Sequence, residues 1–373
     1  MTLRIRVGQL IAFFFRSLLW SLNLLLVLYT CLAYWLLYSL PTQHWSAGMI
    51  MITLPVAWIL NFVVVCLWLT DRPWRGWLSG IVLLLGIGLF GSRTFGWNQI
   101  KEFTGEGIPL KVFSYNVKTF DLDLNTVYDY PSSPRFRRLA NYALRYDAPI
   151  KCFQEFWTST TVPEYNFVQR FRKAGYPYSY ILHPVNRESR GASFGMAIIS
   201  IYPIIQTGKK AFDAPNGVIW ADIKVRNDTI RIINVHLHSM GIRIGRVLAK
   251  DEISGVKRET RGVLSALRNG FIKRNEQIND VQKFVQESPY PVIVTGDFND
   301  TPYGAVYERM RRLLPNSFEE AGHGFGFTYN HLPNFIRIDN QFHDPRLSIL
   351  NFETINYVTD SDHYPIVGTY VVK

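Results

Sequence analysis

The chain has 373 residues, of which 48% are hydrophobic and only 18% charged, with a formal net charge of +11. Seven of its charged residues fall in the first 100 positions (Arg4, Arg6, Arg16, Asp71, Arg72, Arg75 and Arg93), so a membrane-like front is joined to a soluble-like remainder. That division excludes a purely cytosolic globular enzyme, an intrinsically disordered chain and a full-length polytopic transporter.

In chain order, Ser17 to Leu40 comes first: 24 residues without a charge, rich in Leu, Trp and Tyr. At about 1.5 Å per helical residue this exceeds a hydrocarbon core of roughly 30 Å, so the segment is expected to span a bilayer. Arg4 and Arg6 ahead of it would also suit a signal peptide, but the run outlasts an ordinary apolar h-region and no small-x-small cleavage site follows before Pro41. Ala47 to Thr70 is a second run of spanning length. Gly76 to Ser92 is a shorter third of 17 residues, which Phe95 and Trp97 extend to an interface. The expectation is a three-helix transmembrane anchor over residues 1–106, with spans at about 11–40, 47–70 and 76–97. No Asp, Glu, His or Lys lies mid-span, which reads as an anchor in the lipid bilayer rather than an ion or substrate path. Arg4, Arg6, Arg72 and Arg75 would share one side, against Arg93 and Lys101 after the third span. The positive-inside rule then predicts an integral protein of a bacterial inner or plasma membrane whose remaining chain lies outside the cytoplasm, or inside it if the short third run does not cross.

From Gly107 the pattern changes to short β-branched or aromatic runs alternating with amphipathic ones. Strands are predicted at Lys111 to Val117, Pro149 to Phe153, Tyr178 to His183, Ser193 to Ser200, Val218 to Val225, Thr229 to His236, Val292 to Thr295 and Pro365 to Val372. Helices are predicted at Ser133 to Arg145, Pro163 to Lys173, about Arg258 to Gln286, and after Thr301-Pro302, with Thr301 as N-cap. Mixed elements without a strict βαβ rhythm imply one α/β domain over residues 107–373, with two packed β-sheets flanked by helices. Cys31 and Cys66 lie in the front and Cys152 stands alone in the back, so this domain closes no internal disulfide, and no Cys/His spacing suits structural zinc.

Polar residues suited to metal binding recur where predicted strands end: Asn116, Gln154-Glu155, His236 and His238, Asp297 and Asn299, Asp339, and Asp362-His363. Each alone reads as a turn or hydrogen-bonded structural residue. Together they supply what phosphodiester hydrolysis requires: ligands for a divalent cation, a base for water, donors for the phosphoryl charge and an acid for the leaving oxygen. Carboxylates and an amide suit Mg²⁺, a hard cation that keeps several waters.

The runs Ser114-Tyr115-Asn116-Val117, Gln154-Glu155, Asn234-Val235-His236-Leu237, Gly296-Asp297-Phe298-Asn299-Asp300 and Ser361-Asp362-His363-Tyr364-Pro365 occur in this order. On them the sequence from about Pro109 to Lys373 resembles the endonuclease/exonuclease/phosphatase superfamily. The resemblance implies a four-layer α/β sandwich and a Mg²⁺-dependent phosphodiester hydrolase, with Mn²⁺ as a substitute. It implies Glu155 as the principal metal ligand, with Asn116 and Asp362 at or near the ion. Asp297 would orient or deprotonate the nucleophile, and Asn299 would hold it or a phosphate oxygen. His236 and His363, the latter paired with Asp339, would flank the phosphate in exchangeable roles. Two departures stand out: Lys118 sits where abasic-site nucleases carry an acid, and Asn340-Gln341 follow Asp339 where an aromatic and aliphatic strand is usual. A nuclease-like activity on nucleic acid is the first expectation. A lipid phosphodiesterase or phosphatase acting on phospholipid headgroups is the second, and a non-catalytic phosphate-binding receptor the rival from another class.

Between Gly241 and Glu276 nine Lys or Arg stand against four acids, which suits a phosphate-tracking surface or simply a solvated helix face. Arg187 and Arg190 lie in a polar loop before Gly191, from which either, or neither, would reach a phosphate. His238 points the same way as His236 on a strand, with a structural role the simpler reading, and Cys152 reads as a core residue.

Overall fold

Apolar residues on every face explain why the first 94 residues form helices that leave most side chains outward: α1 (Thr2–Ser39), α2 (Trp45–Ile52), α3 (Leu54–Leu69) and α4 (Trp77–Thr94). The structure, a computed structural model, describes residues 2–39, 44–103, 105–123, 132–182, 191–239, 253–331 and 334–372, with side chains given from 9 in α1 and from 260 in the helix that opens at Ile253. Two stretches, Gln9–Ser39 and Pro73–Thr94, are helices long and apolar enough to cross a membrane. The run expected as a second straight span is instead α2 and α3, bent by 43° at Thr53. Pro55 explains the break: it lies in the first turn of α3, lacks an N–H, and its ring would clash with the carbonyl four residues back if α2 continued. The pair counts as a third span only if both halves are taken as one. Buried polar side chains join these helices, with Asn61 Nδ2 donating to Thr30 Oγ1 at 2.9 Å and Ser79 Oγ to Asn23 Oδ1 at 2.5 Å.

The chain divides into two compact units, Met1–Gly91 with Tyr303–Ala305, and Ser92–Pro302 with Val306–Lys373. The second begins with a short strand, β1 (Gly96–Trp97), and a buried ion pair in which Arg93 Nη1 lies 2.9 Å from Glu308 Oε2. In chain order follow β2 (Ile108–Asn116), α5 (Pro134–Arg145), β3 (Ile150–Ser159), α6 (Phe167–Lys173), β4 (Tyr178–Ile181), β5 (Ala192–Ser200), β6 (Ile204–Ala211), β7 (Gly217–Val225) and β8 (Asp228–His236). After the long helix Ile253–Gln286 come β9 (Val292–Asp297), the helices Ala305–Leu313 and Ser317–Ala321, β10 (His323–Gly324), β11 (Asp339–His343), β12 (Ser348–Thr354) and β13 (Ile366–Val372).

Six strands form one sheet in the order β12-β13-β2-β3-β5-β4, and five form another in the order β11-β9-β8-β7-β6; β2–β3 and β8–β9 are the parallel pairs. Period-two alternation decides what each strand buries on each face. Leu110, Val112, Ile150, Cys152, Met196 and Ile198 face Ile219, Ala221, Ile230, Ile232 and Ile293 between the sheets. Phe113, Tyr115 and Phe153 turn outward against α5 and α6, while Ile233, Val235 and Val294 pack on Ile278, Val281 and Met310 of the opposite helices. Helix, sheet, sheet, helix is therefore the layer order.

Ser133 starts α5 as expected, its Oγ accepting the Phe136 N–H at 3.0 Å. The helix expected at Thr301-Pro302 begins at Ala305 instead, because the buried Asp300 carboxylate accepts the Val306 N–H at 2.9 Å and draws the start downstream. The β6 strand escaped prediction because it is an edge strand carrying Lys209 and Lys210 and mostly exposed side chains, so it has no apolar alternation.

Candidate active site

The carboxyl ends of the two parallel pairs meet at one rim. Gly296 has φ 136°, and a Cβ there would lie 2.1 Å from Val235 O, so only glycine lets β9 run this close to β8. The next residue, Asp297, is thereby set opposite His236 on β8 and Asp339 on β11. On the other sheet β2 ends at Asn116, opposite Gln154 on β3.

Glu155 departs from its sequence reading, which placed it after a strand. β3 runs through it to Ser159, with a bulge against β5 between Gln154 and Phe156. Phe153 and Phe156 both enter the helix-facing core, so Glu155 is the extra residue, at φ 50°, and its half-open carboxylate is turned to the rim.

Asn116 joins the two sheets: its Nδ2 donates to Glu155 Oε1 at 3.2 Å and to Asp297 Oδ2 at 3.1 Å. His363 Nδ1 lies 2.8 Å from Asp339 Oδ2, and its Nε2 lies 3.7 Å from Asp297 Oδ2. His236 Nε2 is 3.7 Å from the same Asp297 oxygen and 3.9 Å from Glu155 Oε1. Asn299, at φ 50°, gives its backbone N–H to Asp297 Oδ1 at 2.8 Å and its side-chain amide to Leu237 O at 2.9 Å. Asp362 sits apart from this buried group, its Oδ2 3.6 Å from Lys118 Nζ. His238 lies beyond β8, its backbone N–H bonded to Gln277 Oε1 and its carbonyl to Arg274, as a structural residue would be. Cys152 is fully buried between the sheets. Arg187, Arg190, Arg243, Arg246 and Lys250 lie outside the described residues.

Burial and neighbouring charge tune these groups. Burial pushes the Asp297 carboxyl up to about 6 against the opposing pull of His363 and His236, and it also raises Glu155 while the Asn116 bond opposes it. Burial holds His236 below the ordinary imidazole value. For His363 burial alone would do the same, but the Asp339 and Asp297 carboxylates outweigh it and raise the group to about 10. At neutral pH the rim thus holds a neutral and a charged imidazole around one carboxylate.

Of three supporting residues, Tyr329 and Thr328 had no sequence signal because they lie in a Gly- and Phe-rich loop, and Ser361 stood in a motif without a role of its own. Tyr329 packs edge-on to His363 with ring centroids 5.3 Å apart. Thr328 Oγ1 accepts the Ile338 and Asp339 N–H groups, and Ser361 Oγ donates to Asn116 O at 2.7 Å, tying the His363 loop to β2.

One residue beyond Asn116, Lys118, Thr119, Phe120 and Asp121 form a left-handed turn with φ of 44, 53, 58 and 59°. None is glycine, so each costs roughly 1–2 kcal/mol. Phe120 pins the turn, stacked on Phe167 at 3.9 Å between centroids and fully buried, and the Lys118 N–H donates to Asn116 Oδ1 at 3.1 Å.

Residues 113–363 match the family described as Endonuclease/Exonuclease/phosphatase family, and residues 16–93 match a domain of unknown function. No curated protein sequence matches the chain. Among solved structures, an endonuclease/exonuclease/phosphatase family protein from Bacteroides thetaiotaomicron superposes with TM-score 0.51 at 19% identity, over 72% of this chain and 100% of its own. The endonuclease/exonuclease/phosphatase from Beutenbergia cavernae gives 0.49 at 15% identity, over 71% and 72%. The first of these similarities establishes the shared fold.

Proposed function

The chain belongs to the endonuclease/exonuclease/phosphatase family of phosphoester-cleaving hydrolases, and from that membership we propose a membrane-anchored, Mg²⁺-dependent phosphodiester hydrolase with nuclease-like chemistry. The observation that carries this reading is the convergence of Asn116, Glu155, His236, Asp297, Asp339 and His363, brought from four strand ends, one bulge and one loop to a single rim.

The donor set suits a hard cation. Two carboxylates, Glu155 and Asp297, are brought together with raised pKa values, and the Asn116 amide N–H bridges them where a cation would otherwise offset their charge. We place the ion at Glu155, Asn116 and Asp362. Asp297, Asp339 and His363 form a tighter cluster, but Asp339 and His363 already bond each other and all three are buried, whereas the Glu155 and Asp362 side chains are 30% and 21% exposed. Mg²⁺ keeps several waters and needs that open side. When bound, it supplies Lewis acidity toward a phosphate oxygen.

Asp297, with its pKa near 6, accepts a proton from the attacking water as the new O–P bond forms. The ester P–O bond breaks, and its oxygen takes the Nε2 proton of His363, the imidazole that is charged at neutral pH. The 3.7 Å gap between Asp297 and His363 then returns the proton between them. Asp339 fixes the ring of His363, Asn299 holds Asp297 in place, and neutral His236 borders the phosphate.

The test is full-length protein in detergent with Mg²⁺ on plasmid DNA and on bis(4-nitrophenyl) phosphate. Cleavage that stops with EDTA and falls at least about a hundredfold in Glu155→Gln and Asp297→Asn is expected. Wild-type turnover in both variants sinks the assignment. A membrane-borne phosphoester is the second reading, favoured by Trp97 and Phe325, which are 81% and 51% exposed; Trp97 follows the end of α4 by only three residues. Hydrolysis confined to phospholipid vesicles would reverse the order. With the bent pair taken as one span, the Arg distribution supports a position of this unit outside the cytoplasm, and a reporter fused after Lys373 tests that side.

A further inference from the structure

We infer that the hollow between the C-terminal ends of α5 and α6 is a second phosphate-binding site, which receives the backbone of a nucleic-acid strand whose scissile ester lies at the rim. This contact presupposes the nuclease-like reading and lies well away from the chemistry.

The hollow has a volume of about 600 Å³ and is lined by Asn141, Arg145, Asp147, Arg170, Lys173 and Tyr176. That size suits a ligand group rather than a packing gap. It lies where β3 begins, since Tyr176 Oη donates to Ala148 O at 3.0 Å, just ahead of Ile150. Five residues along β3 then lead from Ile150 to Glu155, a distance of about 17 Å.

Three cations against one carboxylate give the wall a positive excess. Among the described residues none of Arg145, Arg170 and Lys173 forms an ion pair, although Asp147 lines the same hollow. Arg170 uses only Nη1, on Glu164 O at 2.8 Å. Basic residues in a last helical turn ordinarily answer the free carbonyls and the macrodipole. Here that need is already met. Lys151 Nζ donates to Ala143 O and Leu144 O at the end of α5, and the Tyr146 N–H donates to Tyr142 O. At the end of α6 the N–H groups of Ala174, Gly175 and Tyr176 donate to the carbonyls of Arg170, Arg172 and Phe171. The cations of the hollow are left facing its open space.

They also end a path. α5 starts at the His363 loop, where Arg135 Nε donates to Asp360 O at 2.8 Å and Arg138 Nη2 lies 2.6 Å from Asp360 Oδ1. Arg137, Asn141 and Arg145, four residues apart, share one exposed face of the helix and run into the hollow. From Arg137 to Arg145 that face covers about 12 Å. Cations spaced along a helix that leaves a phosphodiester-cleaving rim suit a ligand with repeated phosphates. Neither α5 nor α6 exposes a large apolar side chain, as a surface resting on a bilayer would, so a strand rather than a lipid headgroup is the occupant.

The experiment uses full-length protein in detergent with EDTA and a fluorescein-labelled oligothymidylate of about 20 nucleotides, long enough to span rim and hollow. Wild type is compared with Arg145→Gln/Lys173→Gln and, as a control for net charge, with Lys209→Gln/Lys210→Gln on edge strand β6. All four side chains are exposed, so both variants should fold. The hollow variant is expected to bind about tenfold more weakly, with the slope of log affinity against log salt shallower by about 1.4, at about 0.7 for each lost contact. Arg145→Lys/Lys173→Arg should restore most of both. The control should bind as wild type does, and the hollow variant should keep its kcat/KM on bis(4-nitrophenyl) phosphate. Equal affinity and slope in wild type and the hollow variant overturn the inference, as does an equal loss in the control or a parallel fall on the small diester. Binding of a labelled polyglutamate of about the same charge, lost in the same variant, would assign the hollow to an acidic protein and overturn it too. If wild type binds the strand as expected yet Glu155→Gln leaves hydrolysis unchanged, it is the hydrolase reading that falls.

Discussion

Replacing Asn234 with alanine tests whether the rim depends on a polar tie between the two sheets. The Asn234 amide nitrogen donates to Phe153 O at 2.9 Å and Ala197 O at 3.0 Å, and its oxygen accepts from Gln154 Nε2 at 2.7 Å. Phe153 and Ala197 face each other on β3 and β5 just before the bulge that turns Glu155 outward. The side chain is fully buried, so water does not replace the lost partners. Three bonds at about 1 kcal/mol each, with the added penalty of carbonyls left unpaired, predict a loss of roughly 3–5 kcal/mol. For a unit of this size that is a fall in Tm of roughly 6–15 °C. Cys152 offers a local readout, because it is buried between the sheets and becomes open to thiol reagents only when they part. Thiol labelling of full-length protein through a temperature ramp should therefore move with the melt. Asn234→Asp should be worse than Asn234→Ala, since an acceptor would then face two carbonyl oxygens. A Tm change of less than about 2 °C in Asn234→Ala, or better tolerance of Asp than of Ala, refutes the tie.

Lys151 predicts how stability follows pH. Its Nζ is buried and donates to Ala143 O and Leu144 O, both at 2.9 Å, and burial outweighs Asp147 to push its pKa from 10.5 down to about 7. Between about 7 and 10.5 the unfolded chain binds the extra proton, so stability rises with pH across that window. Below 7 both states hold the proton and the destabilisation is full. Denaturant titrations at several pH values should show that slope in wild type and its loss in Lys151→Met; equal slopes would contradict the argument. Gly296→Ala should yield little folded protein by size-exclusion chromatography, because its Cβ would meet Val235 O at 2.1 Å with φ at 136°. A well-folded alanine variant would show that β8 and β9 separate readily.

Strand β8 was legible because Ile230 and Ile232 serve one core and Ile233 and Val235 another, whereas the equally buried β11 opens on Asp339, Asn340 and Gln341 and offers no apolar run. Edge strand β6 has no second core to serve, and its lysines hid it. The rim was legible because Asn116, His236 and Asp297 each stop an apolar run, and parallel pairing sets such stops side by side. Asp362 and His363 are neighbours in sequence, yet their side chains diverge, one to Lys118 at the open side and the other to the buried Asp339.

What periodicity could not reveal is concentrated in one place for a physical reason. Among the described residues seven non-glycine positions have positive φ: Lys118, Thr119, Phe120, Asp121, Glu155, Asn299 and, in the hairpin turn between β7 and β8, Arg226. All but Arg226 line or adjoin the candidate site. Local propensity argues against each of them, so their conformation depends on distant partners: the Phe120–Phe167 stack, the Asn234 tie behind the Glu155 bulge, and the Leu237 carbonyl that receives Asn299. These partners fix the backbone that holds the Glu155 carboxylate beside Asn116 and the Lys118 ammonium beside Asp362. The strain therefore follows from the function proposed for the rim: carboxylates and an ammonium that would otherwise turn to water are held facing one another before any substrate arrives.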